Sequence, residues 1–396
     1  MTRYIPQMEP LVTEAEAEAL HAYVRSGGWL TEFRETRNFE ASLCEYTGAR
    51  YCVAAPSGTM ALFLALKACG IGQGDEVIVP DLTMAASATA VILAGARVVF
   101  ADVEPDTLCL DLPLAESLIT ARTKAVMFVS LNGRSPAGLA TFIARCRGRG
   151  VKVIEDAAQS LGSFRDGQHL GTLGDCGCLS FSSQKLVTTG QGGAVLTNDE
   201  AIYREMGLLR DFGRLEGGSD HYVSVGWNLK FTDLQAVVGL QQMRRLPELV
   251  KRKREIFARY QEHLAGLPGL EIPSTDLASV SPWFVDVLVN REVKRPLMEH
   301  LHAHGIGSRP VYPPLHAEPA FATTGSYPIA EDISARGLWL PSSLRLDDDP
   351  VAGVCETIRC FIAGCAQSPR QSAATPPHCS ARSRRRRDEG CDRVHR

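Results

Sequence analysis

The sequence Ser180-Phe181-Ser182-Ser183-Gln184-Lys185, followed by Thr188-Thr189-Gly190-Gln191-Gly192-Gly193, decides the fold. The apolar run that ends at Phe181 is typical of a buried strand. This strand delivers Lys185 into a turn of serine, threonine and glycine, where its ammonium group lies among hydroxyls and backbone amides. Lys185 is therefore a candidate for chemistry, although a lysine just past a strand is by itself more often a surface residue.

Strand and helix patterns alternate around this stretch. The alternation predicts a mainly parallel sheet with helices on both faces, which is an α/β fold. Ligands bind at the carboxyl ends of the strands in such sheets, where we expect Asp156 and the turn that carries Lys185 to lie. The strands are predicted at 51–54, 75–80, 97–102, 124–130, 151–155, 178–181 and 194–197, and the helices between them at 60–68, 84–93, 112–120 and 138–147.

The predicted organisation has three parts. Residues 1–248 form a large domain with an N-terminal segment, and residues 249–365 form a smaller C-terminal α+β domain that begins with a basic helix. The last part, 366–396, is rich in serine, proline and arginine and has almost no large apolar residues, so we expect it to be disordered.

Composition and patterning exclude several classes of protein. The 396 residues are 45% hydrophobic and 22% charged, with a formal net charge of -3, so no overall attraction to nucleic acid or to an anionic membrane is expected. The N-terminal residues lack the apolar core of a signal peptide, and the longest apolar segment, 84–96, is too short to cross a bilayer. These features predict a cytoplasmic protein that binds small molecules. The arginine run at 384–387 has no aromatic residues between its members and does not indicate a nucleic-acid site.

No metal site is predicted. His300, His302 and His304 share a predicted helix without a carboxylate at metal-binding spacing. Cys176 and Cys178 are close in sequence but have no further cysteine nearby to complete an iron–sulfur cluster, and the scattered cysteines are expected to be reduced thiols.

Two further motifs complement Lys185. Ser57-Gly58-Thr59 precedes an apolar helix, so the free amides of the first turn can hold a phosphate, with a simple helix cap as the alternative. Asp156 ends a buried strand at the ligand edge of the sheet, and its alternative role is to cap a turn. Together, a lysine for a Schiff base, a buried acid for a pyridine nitrogen and a phosphate site match the needs of pyridoxal phosphate.

Five motifs occur in order, namely Trp29-Leu30-Thr31, Ser57 to Leu62, Glu155 to Ser160, Phe181 to Lys185 with Thr188 to Gly193, and Gly226-Trp227-Asn228. This set resembles the DegT/DnrJ/EryC1/StrS sugar aminotransferases, a branch of the fold-type I pyridoxal phosphate enzymes, from about Tyr4 to about Phe361. The resemblance implies a mainly parallel seven-stranded sheet in the large domain. Two more stretches, 308–316 and 327–332, are similar to one member of the family in particular.

The resemblance also implies roles for single residues. Lys185 would bind the cofactor and carry a proton between substrate and cofactor, while Asp156 would bind the pyridine nitrogen. Asn228 of the partner subunit would join the phosphate site, which implies a homodimer with shared active sites. The other implied cofactor contacts are Gln159 at the phenolic oxygen, Met84 over the ring in place of the usual aromatic residue, and Gly58, Thr59 and Ser180 at the phosphate.

For the substrate, the resemblance places His316 at the sugar. Tyr312 and Trp29 are further candidates for substrate binding, and Trp29 alternatively lies at the subunit boundary. The sequence departs from the family pattern at positions that we expect to line the sugar side of the pocket, namely Ser130, Asn132, Arg134, Gln191 and 211–213.

These observations predict a pyridoxal phosphate-dependent aminotransferase that moves an amino group from L-glutamate to a keto sugar, most simply a nucleotide-linked 4-keto-6-deoxy hexose. A keto-cyclitol or a 3-keto sugar is an alternative acceptor. A pyridoxal phosphate-dependent sugar dehydratase is a second alternative, against which Lys185 argues because that branch often carries histidine at this position. A catalytically silent module that binds a nucleotide sugar is a third.

Overall fold

The chain forms two main β-sheets with helices packed around them. A computed structural model describes residues 4–367, except 216 and 218. The predicted disordered tail lies outside the described residues, apart from residues 366 and 367, which end the last helix.

The secondary structure follows the predicted alternation. The helices are α1 (Glu14–Arg25), α2 (Arg34–Thr47), α3 (Gly58–Ala68), α4 (Ala86–Leu93), α5 (Leu112–Ser117), α6 (Leu139–Gly148), α7 (Glu200–Arg210), α8 (Asp233–Arg244), α9 (Leu246–Leu264), α10 (Arg291–Ala303), α11 (Pro328–Arg336) and α12 (Asp348–Gln367). The strands are β1 (Tyr51–Ala55), β2 (Glu76–Pro80), β3 (Arg97–Ala101), β4 (Thr123–Val129), β5 (Lys152–Asp156), β6 (Phe164–Arg165), β7 (Gln168–His169), β8 (Cys176–Ser180), β9 (Gly193–Thr197), β10 (Leu270–Glu271), β11 (Val285–Val289), β12 (Arg309–Pro310) and β13 (Gly337–Leu340).

The larger sheet has seven strands in the order β1-β9-β8-β5-β4-β2-β3. Neighbours from β8 to β3 run parallel, and β9 is antiparallel to both β1 and β8. The central strands β4 and β5 are almost entirely buried, as parallel strands must be when helices cover both faces of a sheet. The predicted α/β fold with a mainly parallel seven-stranded sheet is confirmed.

Apolar contacts hold helices against this sheet. In α3 every residue from Ala61 to Leu66 is buried. In a second apolar cluster, the Phe39 ring of α2 lies 5.1 Å from the Phe181 ring and 5.7 Å from the Phe231 ring, measured between centroids. Since Phe181 directly follows β8, this cluster fixes the start of the turn that carries Lys185.

The smaller sheet has four antiparallel strands in the order β10-β11-β13-β12. Helices α9, α10 and α12 bury their apolar residues against it. The sequence patterns predict neither α11 nor β13, because the helix passes into a four-residue strand without a loop between them.

The division into a large and a small domain stays a prediction. Helix α9 runs through the predicted boundary between residues 248 and 249. The N-terminal segment, predicted to belong to the large domain, contacts the region of the smaller sheet, because Ile5 pairs with Ile306 and the Ser342 amide donates to the Gln7 carbonyl. None of the helices in the described residues is long and apolar enough to span a membrane.

Candidate active site

Lys185 lies in a closed turn at the carboxyl end of β8. The turn is held by backbone hydrogen bonds, among them Thr189 N to Phe181 O at 3.0 Å and Lys185 N to Ser182 O at 2.9 Å. The Lys185 side chain is half-buried, and its Nζ lies 3.7 Å from the centroid of the Trp283 ring. Burial lowers the pKa of the Lys185 amine to about 7, although the Asp156 carboxylate opposes this shift. A large fraction of the amine is therefore neutral and nucleophilic near neutral pH.

Asp156 ends β5, the strand next to β8 in the sheet. Its Oδ2 accepts a hydrogen bond from Ser87 Oγ at 2.7 Å, and its Oδ1 accepts one from Ala158 N at 3.2 Å. Burial raises the pKa of the Asp156 carboxyl, while the Ser87 bond and the Lys185 charge lower it. The structure therefore brings Asp156 and Lys185 close enough for their charges to interact.

Hydroxyl groups behind Asp156 connect it to the start of α4. Thr83 Oγ1 lies 3.0 Å from Ser87 Oγ, so the Asp156 carboxylate is the end of a short hydroxyl chain. Met84 lies between these two residues in the sequence and is 48% exposed. Its thioether is accessible for contact with a ligand, and its predicted place over the cofactor ring stays a prediction.

The predicted phosphate site is assembled where α3 begins. Ser57 caps the helix, because its Oγ accepts from Met60 N at 3.2 Å. The amides of Gly58 and Thr59 belong to the first turn, so no carbonyl of the helix can accept from them. A side chain at Gly58 would place its Cβ only 2.9 Å from Ser180 Cβ. The structure thus brings the helix start and Ser180 together in a cradle that only glycine leaves open.

Gln159 lines the same cavity as Ser180, Lys185 and Trp283. Its Oε1 accepts a hydrogen bond from Asn132 N at 2.8 Å, which fixes the orientation of the amide. The Nε2 group can then donate to a ligand oxygen, as the predicted contact with a phenolic oxygen requires.

Tyr312 and His316 belong to the stretch at 308–316 but have different surroundings. Tyr312 is buried, and the charge of Asp156 adds to the burial that raises the pKa of its phenol, so it lies near the site. His316 is oriented by Asp81, which follows β2 at the same edge of the sheet. His316 Nδ1 lies 2.6 Å from Asp81 Oδ2, and its backbone N donates to Oδ1 at 2.7 Å. Contact of either residue with a sugar stays a prediction.

Two residues of the site, Trp283 and Arg309, are absent from the sequence-based predictions. Besides facing Lys185, the Trp283 indole Nε1 donates to the Gln184 carbonyl at 2.8 Å. The Arg309 guanidinium lowers the pKa of Lys185 further, and its Nη1 lies 3.4 Å from Gln184 Oε1. Arg309 stands within the stretch at 308–316 and could have been singled out there, whereas no sequence signal distinguishes Trp283 from a packing tryptophan.

Trp29 and Asn228 lie elsewhere on the surface of the chain. Trp29 is 65% exposed and lines a cleft together with Phe33 and Leu215. Asn228 is exposed and pairs with Asp211 across an antiparallel bridge. Among the described residues, no hydrogen bond joins either side chain to Lys185 or Asp156, and the predicted roles of Trp29 and Asn228 stay predictions.

The expectation that Ser130, Asn132 and Arg134 line the sugar side of the pocket is wrong. All three are buried, with at most 2% exposure. Ser130 Oγ donates to Ser160 Oγ at 2.8 Å, and Asn132 Nδ2 donates to the Phe284 carbonyl at 2.7 Å. The Arg134 guanidinium forms a 2.5 Å ion pair with Asp286 of β11. The Asn132 and Arg134 side chains connect the two sheets, whereas the Ser130 hydroxyl bonds within the region of the larger sheet.

The other departures from the family pattern have separate surroundings. Asp211 forms a 2.7 Å ion pair with Lys230, and the Lys230 amine also lies 4.5 Å from the centroid of the Phe212 ring. Gln191 is exposed, and its backbone carbonyl accepts from Gln235 Nε2 at 2.6 Å. A contact of these residues with a sugar stays a prediction.

The residues present fit pyridoxal phosphate. Asp156 forms no ion pair within 4 Å in the described part of the chain, so its buried carboxylate can take a protonated ring nitrogen as partner. The cradle at Gly58 and Ser180 offers amides and a hydroxyl to a phosphate group. Lys185 supplies an amine with a lowered pKa between these two sites.

Comparisons with known proteins agree with this geometry. The model of the DegT/DnrJ/EryC1/StrS aminotransferase family matches residues 10–359. GDP-perosamine synthase from Escherichia coli O157:H7, which the stretches at 308–316 and 327–332 resemble, is 34% identical over 361 residues, covering 91% of this chain and 99% of that protein.

Solved structures match over similar lengths. The aminotransferase TlmJ from Streptoalloteichus hindustanus superposes with a TM-score of 0.87 at 33% identity, covering 91% of this chain and all of TlmJ. The putative sugar aminotransferase Spr1654 from Streptococcus pneumoniae, in its PMP form, superposes with a TM-score of 0.86 at 28% identity, covering 92% of this chain and all of Spr1654. The chain therefore belongs to the DegT/DnrJ/EryC1/StrS aminotransferase family, a family of pyridoxal phosphate-dependent sugar aminotransferases.

Proposed function

We propose that this protein transfers an amino group from L-glutamate to a nucleotide-linked 4-keto-6-deoxy hexose, with pyridoxal phosphate in sites shared by two subunits. The observation that carries the proposal is the pairing of Lys185, whose pKa is lowered to about 7, with the buried carboxylate of Asp156 beside a phosphate cradle. The nucleotide-linked acceptor rests on similarity to a relative named for a GDP-linked sugar.

The cofactor, when bound, supplies an electron-accepting ring that stabilises negative charge on the reacting carbon. Asp156 holds the ring nitrogen in its protonated form, and the Ser87 hydroxyl keeps the carboxylate oriented. Gln159 Nε2 would donate to the ring oxygen, while the Gly58 and Thr59 amides and Ser180 Oγ would hold the phosphate.

Lys185 has two tasks, for which its neutral amine is required. Its Nζ would hold the cofactor when that group is bound, and the same neutral amine would accept the proton that leaves the donor's α-carbon. Because the pKa lies near 7, the amine can both take up and release this proton near neutral pH. The Trp283 ring beside Nζ limits the access of water to it.

Two further side chains, Arg309 and His316, are the proposed contacts for the two substrates. The Arg309 guanidinium forms no ion pair in the described part of the chain and stands near Lys185, where it can bind a carboxylate of the amino-acid donor. On the Asp81 side, His316 is held in one orientation and can donate or accept a hydrogen bond at a sugar hydroxyl.

Surface exposure supports the homodimer. Apolar side chains that are 53% to 82% exposed precede Asn228 in the sequence or lie at and next to Trp29, and exposed apolar surface is typical of protein interfaces. In the proposed homodimer, these side chains are buried against a second copy and Asn228 of the partner subunit joins the phosphate site. The exposed residues are Trp29, Leu30, Phe33, Leu215, Tyr222 and Val225.

A two-step assay tests the proposed function. The purified protein should show a yellow absorbance with pyridoxal phosphate, lose it on addition of L-glutamate, and regain it on addition of a nucleotide-linked 4-keto-6-deoxy hexose. Borohydride should remove the yellow absorbance of the natural sequence. The Lys185→Ala variant should lack this absorbance from the start. Return of the absorbance only with 3-keto sugars or keto-cyclitols would overturn the proposed acceptor. A protein that binds nucleotide sugar but stays colourless would support the silent module instead.

A further inference from the structure

A second lysine, Lys253, is buried close to the candidate site. Lys253 lies in α9 and is 2% exposed, and no carboxylate forms an ion pair with it in the described part of the chain. Lysines are almost never fully buried without a partner. Burial also lowers the pKa of the Lys253 amine to about 7.

The Lys253 amine donates to the backbone of two separate segments. Nζ lies 2.8 Å from the Trp283 carbonyl and 2.5 Å from the Ser342 carbonyl. Its third neighbour is Met8 Sδ, at 3.9 Å. Lys253 therefore joins α9 to the segments before β11 and after β13, and no other side chain among the described residues donates to the Trp283 carbonyl.

Trp283 is the connection between the two lysines. Its carbonyl is held by Lys253, its indole Nε1 is held by the Gln184 carbonyl at 2.8 Å, and its ring is stacked on Phe284 with centroids 3.7 Å apart. The same ring lies 3.7 Å from Lys185 Nζ. A shift of the Trp283 backbone would therefore change the cover over Lys185.

We propose that Lys253 is a positioning residue that holds Trp283 over Lys185. Without the Lys253 amine, two buried carbonyls lose a donor, and the backbone must move to reach water or another partner. Trp283 then moves with its carbonyl, and water gains access to Lys185. The inference rests on the proposed function of Lys185 as the residue that binds the cofactor.

The test measures Lys185 itself in the full-length chain freed of cofactor. Labelling with acetic anhydride at a series of pH values, followed by mass spectrometry, gives the pKa of Lys185 because only the neutral amine reacts. In Lys253→Met, water entry should raise the pKa of Lys185 by about one unit, since desolvation is the main cause of its depression. The charged and titratable groups near Lys185, which are Asp156, Arg309 and Tyr312, are unchanged in this variant.

Two controls separate positioning from a general effect. Lys251→Met changes an exposed lysine of the same helix, whose side chain is 79% exposed, and should leave the pKa of Lys185 as in the natural sequence. Trp283→Leu should shift the pKa of Lys185, and the double variant Lys253→Met with Trp283→Leu should shift it no further. A shift of the Lys185 pKa in the double variant that equals the sum of the two single shifts would show that Lys253 acts independently of Trp283. That result would overturn the proposal.

Folding is expected in Lys253→Met, because methionine matches the lysine stem and carries no charge to bury. If Lys253→Met does not fold, Lys253→Gln is measured in its place. The shorter glutamine amide can donate to at most one of the Trp283 and Ser342 carbonyls. Its expected result is a smaller shift of the Lys185 pKa in the same direction, and an unchanged Lys185 would contradict the proposal. Labelling needs no cofactor, so failure of the natural sequence to bind pyridoxal phosphate would count against the proposed function alone.

Discussion

At the scale of single residues, the site depends on two groups whose charges are set by burial. Asp156 and Lys185 each lose hydration, so burial raises the pKa of the carboxyl and lowers that of the amine. Each charge partly offsets the effect of burial on the other. A large fraction of the amine is thereby neutral near pH 7, while the buried carboxylate can still pair with a cationic ring nitrogen.

Ser87→Ala is predicted to move the acid limb of activity to higher pH. The Ser87 hydroxyl donates at 2.7 Å to Asp156 and lowers the pKa of that carboxyl. Its removal raises the pKa, so the ionised carboxylate is lost at a higher pH as the solution is acidified. A hydrogen bond to a charged group is worth about 1.5–3 kcal/mol, which corresponds to a shift of about one to two pKa units.

The pH profile of kcat/KM measures this shift. Thr83→Val is the matched control, because Thr83 contacts Ser87 but does not bond to Asp156. It should move the acid limb by less than Ser87→Ala does. An acid limb that stays in place or moves to lower pH in a folded Ser87→Ala variant would contradict the role given to Ser87.

At the scale of secondary-structure elements, the start of α3 and the end of β8 form the cradle that we propose as the phosphate site. Gly58→Ala would place a methyl group 2.9 Å from Ser180 Cβ and push the two elements apart. Overpacking of this kind costs about 1–3 kcal/mol, so affinity for pyridoxal phosphate should fall about 5- to 150-fold.

Titration of the cofactor, followed by absorbance, checks this prediction. The control is Gly148→Ala at the end of α6, where an added Cβ meets no atom within 4 Å. That variant should bind the cofactor as the natural sequence does. Equal affinity of Gly58→Ala and Gly148→Ala would show that the cradle is not the phosphate site.

The loop after β4 connects the two sheets through the buried ion pair of Arg134 with Asp286. We expect this pair to stabilise the fold and not to determine substrate choice. Removing one partner of a buried pair costs about 3–5 kcal/mol. Arg134→Met should therefore lower the free energy of unfolding in urea by this amount. Arg295→Met, which removes a pair whose arginine side chain is 88% exposed, should cost less than about 1 kcal/mol.

The same variant tests whether Arg134 is remote from the sugar side of the pocket. Under conditions where Arg134→Met is folded, its preference among keto-sugar acceptors should equal that of the natural sequence. A changed preference would mean that Arg134 contacts the substrate after all.

Particular residues show what the sequence could predict. Lys185 and Asp156 were predictable because each follows an apolar strand, and parallel strands bring their carboxyl ends to one edge. The buried partner of Arg134 could not be predicted, because Asp286 lies 152 positions away in another sheet. Trp283 reaches the site from the segment before β11 and Arg309 from the two-residue strand β12, both outside the alternating pattern, so no periodicity indicates their position.

At the scale of the whole molecule, the central expectation is that each active site contains residues of two subunits. Asn228 lies on the exposed surface of the chain and forms no hydrogen bond with Lys185 among the described residues. An apolar patch near it in sequence offers a surface for a second copy.

Mixing two inactive variants is predicted to restore activity. Lys185→Ala lacks the amine, and Asn228→Asp places a negative charge at the phosphate of the neighbouring site. Co-expression of the two chains should recover about a quarter of the natural activity, because half of the dimers are mixed and each has one intact site.

The control carries both changes on one chain. Co-expressed with the Lys185→Ala chain, this double variant should show no activity, because every site lacks its lysine. Absence of recovery in the first mixture, with mixed dimers confirmed by differently tagged chains, would show that Asn228 does not act across the subunit boundary.

The most direct test of the account is to identify the lysine that binds the cofactor. The full-length protein is incubated with pyridoxal phosphate, reduced with borohydride, digested and examined by mass spectrometry. The account predicts a pyridoxyl phosphate adduct on the peptide that contains Lys185 and none on the peptide that contains Lys253, although burial lowers the pKa of both amines to about 7. An adduct on Lys253 or on another lysine, with Lys185 unmodified, would contradict it.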